Sequence, residues 1–334
     1  MGHPATRMSP RALGSTRLMV TPIGLGLAAL GRPGYINLGR DEDLGRARSV
    51  EALEGRAHHV LDAAYEAGVR YFDAARSYGR AEEFLAHWLK ARRIPADAVT
   101  VGSKWGYTYV GQWRTDAPVH EVKDHSLQML RRQIAESREL LGDHLDLYQI
   151  HSATLESGVL DDGSVLAALN QLRQEGLVIG LTTSGPRQAE TIERALQVDV
   201  EGTNPFGCVQ ATWNVLERSA GPGLSEAHDR GWGVIVKEAL ANGRLTPHGT
   251  GPERHALDPI AARHGVAVDA LALAIVLAQP WVDVALSGAV MTEQLRSNLG
   301  AVEVEVSEKD LEGVTTLAES PDRYWATRGQ LPWT

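Results

Sequence analysis

Short apolar runs alternate with longer amphipathic stretches along most of the chain. Eight runs have the length and composition of buried strands: Ile23–Gly26, Arg70–Phe72, Val99–Gly102, Leu145–Ile150, Val178–Thr182, Cys208–Gln210, Gly233–Val236 and Val282–Leu286. Between them, apolar residues recur with helical spacing, as in Ala57–Ala67, Ser126–Leu141, Ser164–Glu175, Arg187–Leu196, Val268–Leu277 and Thr292–Leu299. Eight strands that alternate with helices predict an α/β fold, a closed (β/α)8 TIM barrel.

Two further segments flank this alternation. Arg11–Val20 places a Gly-Ser pair between two short segments, which predicts a β-hairpin that plugs the amino-terminal mouth of the barrel. Ser307–Thr334 starts as a helix, and we expect it to end as a coil that carries Tyr324, Trp325 and Trp333. Because no Pro/Ser-rich linker or shift in composition divides the chain, we predict a single barrel domain over residues 1–334.

Charge and cysteine content restrict the possible partners. The net charge of −9 and the lack of a Lys/Arg run argue against a nucleic-acid partner. No apolar window reaches membrane-spanning length, and the N-terminus lacks a signal-peptide core, so no membrane partner is expected. The single cysteine, Cys208, excludes an intrachain disulfide and a cysteine metal cage, which favours a cytoplasmic location. No metal site is predicted, and the oligomeric state is not determined by the sequence.

Polar residues end three consecutive predicted strands. Asp73 follows the second strand and Tyr78 comes just after it, Lys104 ends the third strand, and His151 ends the fourth. Each residue alone is more often a helix cap, a solvated lysine or a satisfied core histidine. Because the carboxyl ends of barrel strands meet on one face, which is the catalytic face, the four together predict an active site.

The chemistry of this set favours proton transfer to a carbonyl oxygen. A free phenol has a pKa of about 10, so Tyr78 needs help to act near neutral pH. We expect Lys104 to provide a neighbouring positive charge and Asp73 to hold that lysine in place. His151 would orient the carbonyl oxygen while Tyr78 protonates it. Because no side chain donates hydride, the scheme requires a nicotinamide cofactor.

Three motifs carry a resemblance to a known family. FDAARSYGRAE, VGSKWG and LDLYQIHSA contain the residues named above, in order. In these motifs, and almost from end to end, the sequence resembles the aldo-keto reductase superfamily, whose catalytic tetrad falls on Asp73, Tyr78, Lys104 and His151. The resemblance implies a (β/α)8 barrel and an NADP-dependent oxidoreductase.

The resemblance also implies a set of cofactor-binding residues. Ser184, Gly185 and Gln210 would hold the carboxamide, and Trp213 would stack beneath the nicotinamide ring. The loop after the seventh strand would face the pyrophosphate through Glu238, Ala239, Leu240, Gly243 and Leu245. The segment after the eighth strand would bind the adenosine end through Gly288, Val290, Gln294 and Asn298. NADP(H) is the expected cofactor and NAD(H) the alternative, since Ala289 and Val290 replace residues that often grip the 2′-phosphate.

Two long loops are expected to form the substrate pocket. Leu27–Glu51 and Lys104–Asp124 both leave carboxyl ends of strands. Their aromatic residues are candidates for the pocket wall: Tyr35, Trp105, Tyr107 and Trp113. The predicted function is NAD(P)H-dependent reduction of an aldehyde or ketone, for example on a sugar or a natural product.

Three alternatives stay open at this stage. The chain could be a cofactor-sensing regulatory subunit of the potassium-channel β type, which would bind cofactor tightly and turn over slowly. It could also be a sugar or alcohol dehydrogenase that works in the oxidative direction. The third alternative is a barrel isomerase or lyase, which would convert its substrate without net change in the nicotinamide.

Overall fold

The computed structural model describes residues 8–334 and contains a closed barrel of eight parallel strands. The barrel strands are β3 (Ile23–Gly26), β4 (Tyr71–Asp73), β5 (Thr100–Trp105), β8 (Leu145–Ala153), β9 (Val178–Thr183), β10 (Cys208–Thr212), β11 (Gly233–Lys237) and β12 (Val284–Ser287). They follow one another around the barrel in chain order, and β12 pairs with β3 to close it. The predicted TIM barrel is therefore confirmed.

Strand ends differ from the predicted ones by a few residues, and the differences place side chains at the catalytic face. β4 extends through Asp73, which pairs with Gly102 of β5. β8 continues to Ala153, and its pairing with β9 is irregular between Ile150 and Ala153. Such irregularities re-aim side chains at the ends of strands. Asp73 and His151 therefore belong to the strands themselves.

Helices surround the barrel. They are α1 (Arg40–Leu44), α2 (Val50–Glu66), α3 (Ala81–Arg92), α4 (Leu127–Leu141), α5 (Gly163–Gln174), α6 (Gln188–Leu196), α7 (Gly221–Asp229), α8 (Pro252–His264), α9 (Val268–Leu277), α10 (Thr292–Leu299), α11 (Glu308–Gly313) and α12 (Pro321–Gly329). α2 begins after Ser49, whose hydroxyl accepts a hydrogen bond from the amide of Ala52 at 3.2 Å. This cap starts the helix seven residues before Ala57, where apolar spacing first indicated it.

Two antiparallel hairpins lie outside the barrel. β1 (Arg11–Ala12) and β2 (Met19–Val20) form the predicted hairpin, and buried Leu13 packs at the barrel bottom with Ile235 and Leu147. β6 (Tyr107–Tyr109) and β7 (Glu121–Lys123) form a second hairpin within the loop that leaves the carboxyl end of β5. One hairpin thus closes the amino-terminal mouth, and the other projects over the catalytic face.

The tail is more helical than expected. Tyr324 and Trp325 lie in α12, whose first turn is capped by Ser320, so the prediction of a coil is wrong there. Tyr324 is buried, and its hydroxyl accepts a hydrogen bond from Asn214 at 3.0 Å. Because the aromatic pair packs against the barrel loops, this segment is held as a helix on the catalytic face.

Within residues 8–334, no single helix is long and apolar enough to cross a bilayer. α8 and α9 reach the length and apolar content of a membrane span only when taken together, and the two helices are bent by 84° relative to each other.

We predict that Gly14→Ala destabilises the protein by about 1–3 kcal/mol, as strained or overpacked sites typically do. Gly14 has φ +54°, and a Cβ there would lie 2.4 Å from the backbone nitrogen of Gly233 at the start of β11. Urea unfolding measures the change. Gly163→Ala, at the start of α5 where a Cβ meets nothing within 4 Å, is the control and should not destabilise. Equal stability of the two variants would contradict close packing of the β1–β2 hairpin against the start of β11.

Candidate active site

A buried ion pair forms the centre of the site. The ammonium of Lys104, on β5, donates to Oδ2 of Asp73, on β4, and to the carbonyl oxygen of Ala74 at 2.9 Å. Oδ1 of Asp73 accepts from the hydroxyl of Tyr71 and from Nε2 of Gln210, both at 3.0 Å. Burial lowers the pKa of Lys104, and the charge of Asp73 opposes that shift. The pair therefore keeps a positive charge inside the barrel.

Tyr78 lies against this pair. The ammonium nitrogen of Lys104 is 4.7 Å from the centroid of the phenol ring. Burial raises the pKa of Tyr78 well above its ordinary value, the charge of Asp73 raises it further, and Arg32 opposes the rise. The sequence suggested that the positive charge of Lys104 would help Tyr78 to act near neutral pH. In the structure that charge does not by itself bring the pKa of Tyr78 towards neutrality. Tyr78 stays protonated at neutral pH, which is the state that a proton donor needs.

His151 completes the predicted tetrad. Its ring centroid is 5.3 Å from that of Tyr78, and its Nδ1 lies 3.2 Å from the hydroxyl oxygen of Ser77. Burial lowers the pKa of His151 well below its usual range, and three nearby cations lower it further: Lys104, Lys237 and Arg32. A neutral imidazole beside a phenol can hydrogen-bond a carbonyl oxygen without carrying charge.

The tetrad opens into a cavity of about 610 Å³, a volume typical of ligand sites. Asp73, Tyr78 and His151 line it, together with most of the residues implied for the cofactor: Ser184, Gln210, Glu238, Ala239, Leu240, Gly288, Gln294 and Asn298. Tyr35 and Tyr107 also line it, as expected for the substrate wall. The structure thus brings the predicted catalytic and binding segments to one space.

Several predicted residues lie outside this cavity. Trp213 lines a separate cavity beside Ile275 and Leu311 and packs on Trp281 at 5.5 Å between ring centroids, so its prediction as the nicotinamide platform is wrong. Four other residues that were predicted to bind the cofactor also do not line the central cavity: Gly185, Gly243, Leu245 and Val290. Leu245 and Val290 are buried in the core instead.

Two of the four proposed pocket aromatics are structural. Trp105 is fully buried and packs against His125 at 5.7 Å between ring centroids. Trp113 donates from its indole nitrogen to the carbonyl oxygen of Arg48 at 2.8 Å and does not line the cavity. Both predictions as pocket walls are wrong. Trp105 follows Lys104 on β5, and successive side chains on a strand face opposite sides. Trp113 lies in the loop between β6 and β7, where its indole is held by Arg48 and packs on Phe84.

Arg32 connects Tyr78 to the roof of the cavity, which is formed by the segment after β3, the β6–β7 hairpin and the tail. No motif in the sequence indicates this role. Its guanidinium donates to Glu121 at 2.7 Å and to the carbonyl oxygen of Ser77 at 3.3 Å. It also lies 5.2 Å from the ring centroid of Tyr78 and 5.1 Å from that of Trp333. Arg32 therefore holds the segment after β3, the β6–β7 hairpin and the tail together above the phenol.

The residues present fit a nicotinamide dinucleotide. Oε1 of Gln210 is buried and has no hydrogen-bond partner among the described residues, although the side chain lines the cavity. Oδ1 of Asn242, which also lines the cavity, is likewise buried without a hydrogen-bond partner among the described residues. Unsatisfied buried acceptors are costly, so each is explained by a donor that a ligand supplies. A carboxamide group carries such donors.

Backbone strain collects at the same end of the barrel. Ser152, Glu238, Ala241 and Asn242 all have φ between +48° and +54° without being glycine. Such conformations cost free energy and cluster at functional sites. Glu238 is fixed by Arg328, whose Nη2 donates at 2.5 Å, and by the hydroxyl of Thr212 at 3.2 Å. Burial raises the pKa of Glu238, but Arg328 and Lys237 outweigh it and lower the pKa to about 2.

The opposite end of the cavity carries acidic and neutral groups. Asp269, Glu293 and Ser297 line it, whereas Arg296 does not and pairs with Glu293 at 3.8 Å. The amides of Val290 and Met291 are already bound by Oε1 of Gln294, at 3.0 and 3.3 Å. The start of α10 therefore has fewer free donors than a phosphate site needs. Arg56 contacts Met291 from α2 but also lies outside the cavity lining.

A parallel barrel with a tyrosine, a lysine–aspartate pair and a histidine around a dinucleotide-compatible cavity defines the class of barrel oxidoreductases. Residues 22–319 match the model of the Aldo/keto reductase family, and the chain belongs to that family. Its members use nicotinamide cofactors. The predicted recognition is confirmed. Within the described residues, no group of three His, Cys, Asp or Glu side chains is arranged to hold a metal ion.

Known relatives span nearly the whole chain. The chain is 26% identical over 344 residues to the NADH-specific methylglyoxal reductase of Escherichia coli, with 93% of this chain and 98% of the relative covered. It is 28% identical to L-galactose dehydrogenase of Arabidopsis thaliana, covering 89% of each. The fold is similar to that of the aldo-keto reductase AKR11C1 from Bacillus halodurans in its holo form, with a TM-score of 0.71, 22% identity and 94% and 97% coverage.

We predict that the partly buried pair Arg32–Glu121 is worth about 2 kcal/mol, between an exposed pair and a fully buried one. The test is a double-mutant cycle with Arg32→Met and Glu121→Gln, measured as the free energy of unfolding. The exposed pair Arg114–Asp116, at 2.9 Å, is the matched control and should give a coupling below about 0.5 kcal/mol. Similar coupling energies for the two pairs would contradict the role of Arg32 as the roof anchor.

Proposed function

We propose that this aldo/keto reductase reduces the carbonyl group of a small aldehyde or ketone with NADH. The observation that carries the proposal is the convergence of Tyr78, His151 and the Asp73–Lys104 pair on one cavity. A bound nicotinamide dinucleotide would supply the hydride. The name of the relative from Escherichia coli, a methylglyoxal reductase, supports a small carbonyl substrate.

The protein residues divide the remaining work. His151, neutral because of burial and nearby cations, would donate a hydrogen bond to the carbonyl oxygen and orient it. Tyr78, kept protonated by burial, would give its proton to that oxygen as the carbon is reduced. Lys104, whose ammonium nitrogen is 4.7 Å from the centroid of the phenol ring, would stabilise the phenolate that remains. Asp73 would keep Lys104 charged and in place.

We propose NAD(H) in place of the NADP(H) expected from the resemblance. Asp269 and Glu293 line the end of the cavity opposite the tetrad, and no basic side chain lines the wall formed by β12 and α10 within the described residues. Carboxylates repel a 2′-phosphate, and in dinucleotide sites they bind ribose hydroxyls instead. The NADH-specific relative supports the same preference.

Tyr78→Phe is expected to lower the turnover number by about 100-fold or more, the range of general acid catalysis, because the hydroxyl that carries the proton is gone. The dissociation constant for NADH should stay within about 3-fold of the wild-type value, since small packing changes at a ring cost little. NADH oxidation with a panel of aldehydes and ketones measures the first, and tryptophan fluorescence the second. Trp325 and Trp333 line the cavity and can report binding.

Tyr65→Phe, on α2 and outside the cavity, is the matched control and should keep wild-type turnover. Undiminished turnover in Tyr78→Phe would overturn the proposed proton donor. Measuring the reverse reaction with alcohols and sugars decides the working direction, because the relatives include L-galactose dehydrogenase as well as a reductase.

NADH is expected to bind about 10-fold or more tightly than NADPH, which corresponds to about 1.4 kcal/mol. Glu293→Lys should improve NADPH binding by about 3- to 10-fold, because an exposed charge reversal near a phosphate has a modest effect. Glu139→Lys, an exposed residue of α4 with the same charge change, is the control and should alter neither cofactor. Tighter binding of NADPH by the wild-type protein would contradict the proposed preference.

The single domain over residues 1–334 and the cytoplasmic location stay predictions. So does the assignment of individual cofactor contacts to Ser184, Gln210, Leu240 and Gly288, all of which line the cavity. These contacts are the ones that we expect a structure with bound NADH to contain.

A further inference from the structure

Lys237 places a second lysine in the reaction cavity, and neither the proton-transfer scheme nor the cofactor proposal uses it. It is the last residue of β11, beside Thr212 at the end of β10. Its side chain lines the cavity, and its ammonium nitrogen lies 5.8 Å from the ring of Trp325. Burial lowers the pKa of Lys237 to about 8, so the group is still mostly protonated at neutral pH.

The other basic side chains of the cavity have acidic partners. Arg32 pairs with Glu121 at 2.7 Å, Arg328 with Glu238 at 2.5 Å, and His248 lies 3.2 Å from Asp43. Lys237, by contrast, forms no ion pair among the part of the chain that the structure describes. Its one hydrogen bond goes to the hydroxyl of Thr212 at 3.0 Å. An ammonium group carries three donors, so two remain available to a ligand.

Thr212 fixes the direction of this ammonium group. The hydroxyl of Thr212 lies 3.2 Å from Oε2 of Glu238, and an ionised carboxylate can only accept. The hydroxyl proton of Thr212 therefore goes to Glu238, and the oxygen is left to accept from Lys237. Because Glu238 is held by two nitrogens of Arg328, it is not free to turn towards Lys237. The cation is thus held in place, and it shares the Glu238 carboxylate with Arg328 instead of having a carboxylate of its own.

Positive charge accumulates where the carbonyl group would react. Burial lowers the pKa of His151 most. The positive charges of Lys104, Lys237 and Arg32 each lower it further. Lys104 and Arg32 have carboxylate partners of their own, whereas Lys237 and Arg328 share Glu238, so one positive charge is left in excess. A cavity that is positive at its reactive end attracts an anionic substrate and orients it.

We propose that Lys237 binds the carboxylate of the substrate, so that the preferred substrates are small oxo acids, aldehydes or ketones that also carry a carboxylate group. This inference rests on the proposed carbonyl reduction and names the class of its substrate. The two free N–H groups of Lys237 donate to the carboxylate while His151 and Tyr78 face the carbonyl oxygen of the same molecule. Charge-assisted hydrogen bonds of this kind are stronger than neutral ones.

The experiment compares acids with their neutral esters. Initial rates with NADH are measured for glyoxylate, succinic semialdehyde and glutaric semialdehyde, each beside its methyl ester. In the wild-type protein at least one acid should exceed its ester in kcat/KM by about 10-fold or more, and in Lys237→Met that ratio should fall by about 10- to 100-fold, mostly through KM. Lys237→Arg, which keeps the charge, should retain part of the preference. Lys309→Met, which removes an exposed lysine on α11, is the control and should keep the wild-type ratio.

Two outcomes of the rate measurements overturn the inference. One is a wild-type protein that prefers every ester or does not discriminate, and the other is an acid preference that survives in Lys237→Met. A loss of NADH affinity of about 10-fold or more in Lys237→Met would also overturn it, because the lysine would then serve a phosphate of the cofactor. Tryptophan fluorescence measures that affinity.

Ligand binding separates this inference from the proposed function. Oxamate and succinate carry carboxylates but are not reduced, and their binding to the wild-type protein in the presence of NADH is measured by calorimetry. Binding that is lost in Lys237→Met, together with no turnover of any acid or ester, would support the anion site and refute the reductase. Turnover of esters without any acid preference and without oxamate or succinate binding would support the reductase and refute the anion site.

Discussion

The buried ion pair between Asp73 and Lys104 is the interaction on which the rest of the site depends. Asp73 accepts from Lys104 and Tyr71 and from Gln210 on the far side of the barrel. One carboxylate thus ties strands β4, β5 and β10 together. A buried charge that loses its partner costs several kcal/mol, so either residue alone would be a liability in this interior. The pair also places its ammonium group 4.7 Å from the centroid of the Tyr78 ring.

Burial acts in opposite directions on the groups around this pair. It raises the pKa of the Tyr78 phenol and lowers the pKa of the His151 imidazole, so both are neutral near pH 7. A neutral donor pair beside one fixed ammonium suits protonation of an oxygen that gains negative charge. The Lys237 ammonium lies in the same field and has a pKa of about 8. The cavity therefore combines neutral proton carriers with a cation that forms no ion pair of its own among the described residues.

The sequence predicts site residues best where residue type and strand position agree. Asp73, Lys104 and His151 were predicted because each ends a strand, and the barrel brings such ends together. It failed for Trp105 and Trp213, since the side to which an aromatic points depends on the phase of the strand. Gln210 faces the barrel interior, so Trp213, an odd number of positions later, turns outward.

Other features had no local signal in the sequence. Arg32 and Glu121 are far apart along the chain, and nothing in either loop indicates that they meet. Lys237 followed an apolar strand and was not distinguished from an ordinary strand end. Its significance comes from Thr212 and Glu238, because Thr212 accepts its one hydrogen bond and Glu238 forms its direct ion pair with Arg328 instead.

The roof of the cavity is anchored through backbone groups, so its attachment does not depend on the side chains that face the cavity. Arg40 is buried, and its guanidinium donates to the carbonyl oxygens of Pro33 and Thr334 at 2.6 Å. It also donates to those of Ala29 and Arg32. The positive charge of Arg40 thus holds the segment after β3 and the tail together, much as a bound metal cation would. Because every one of these partners is a backbone group, neighbouring side chains can be exchanged by mutation without loosening the anchor. The lineage of this protein could therefore change its substrate through the roof while the barrel beneath stays constant.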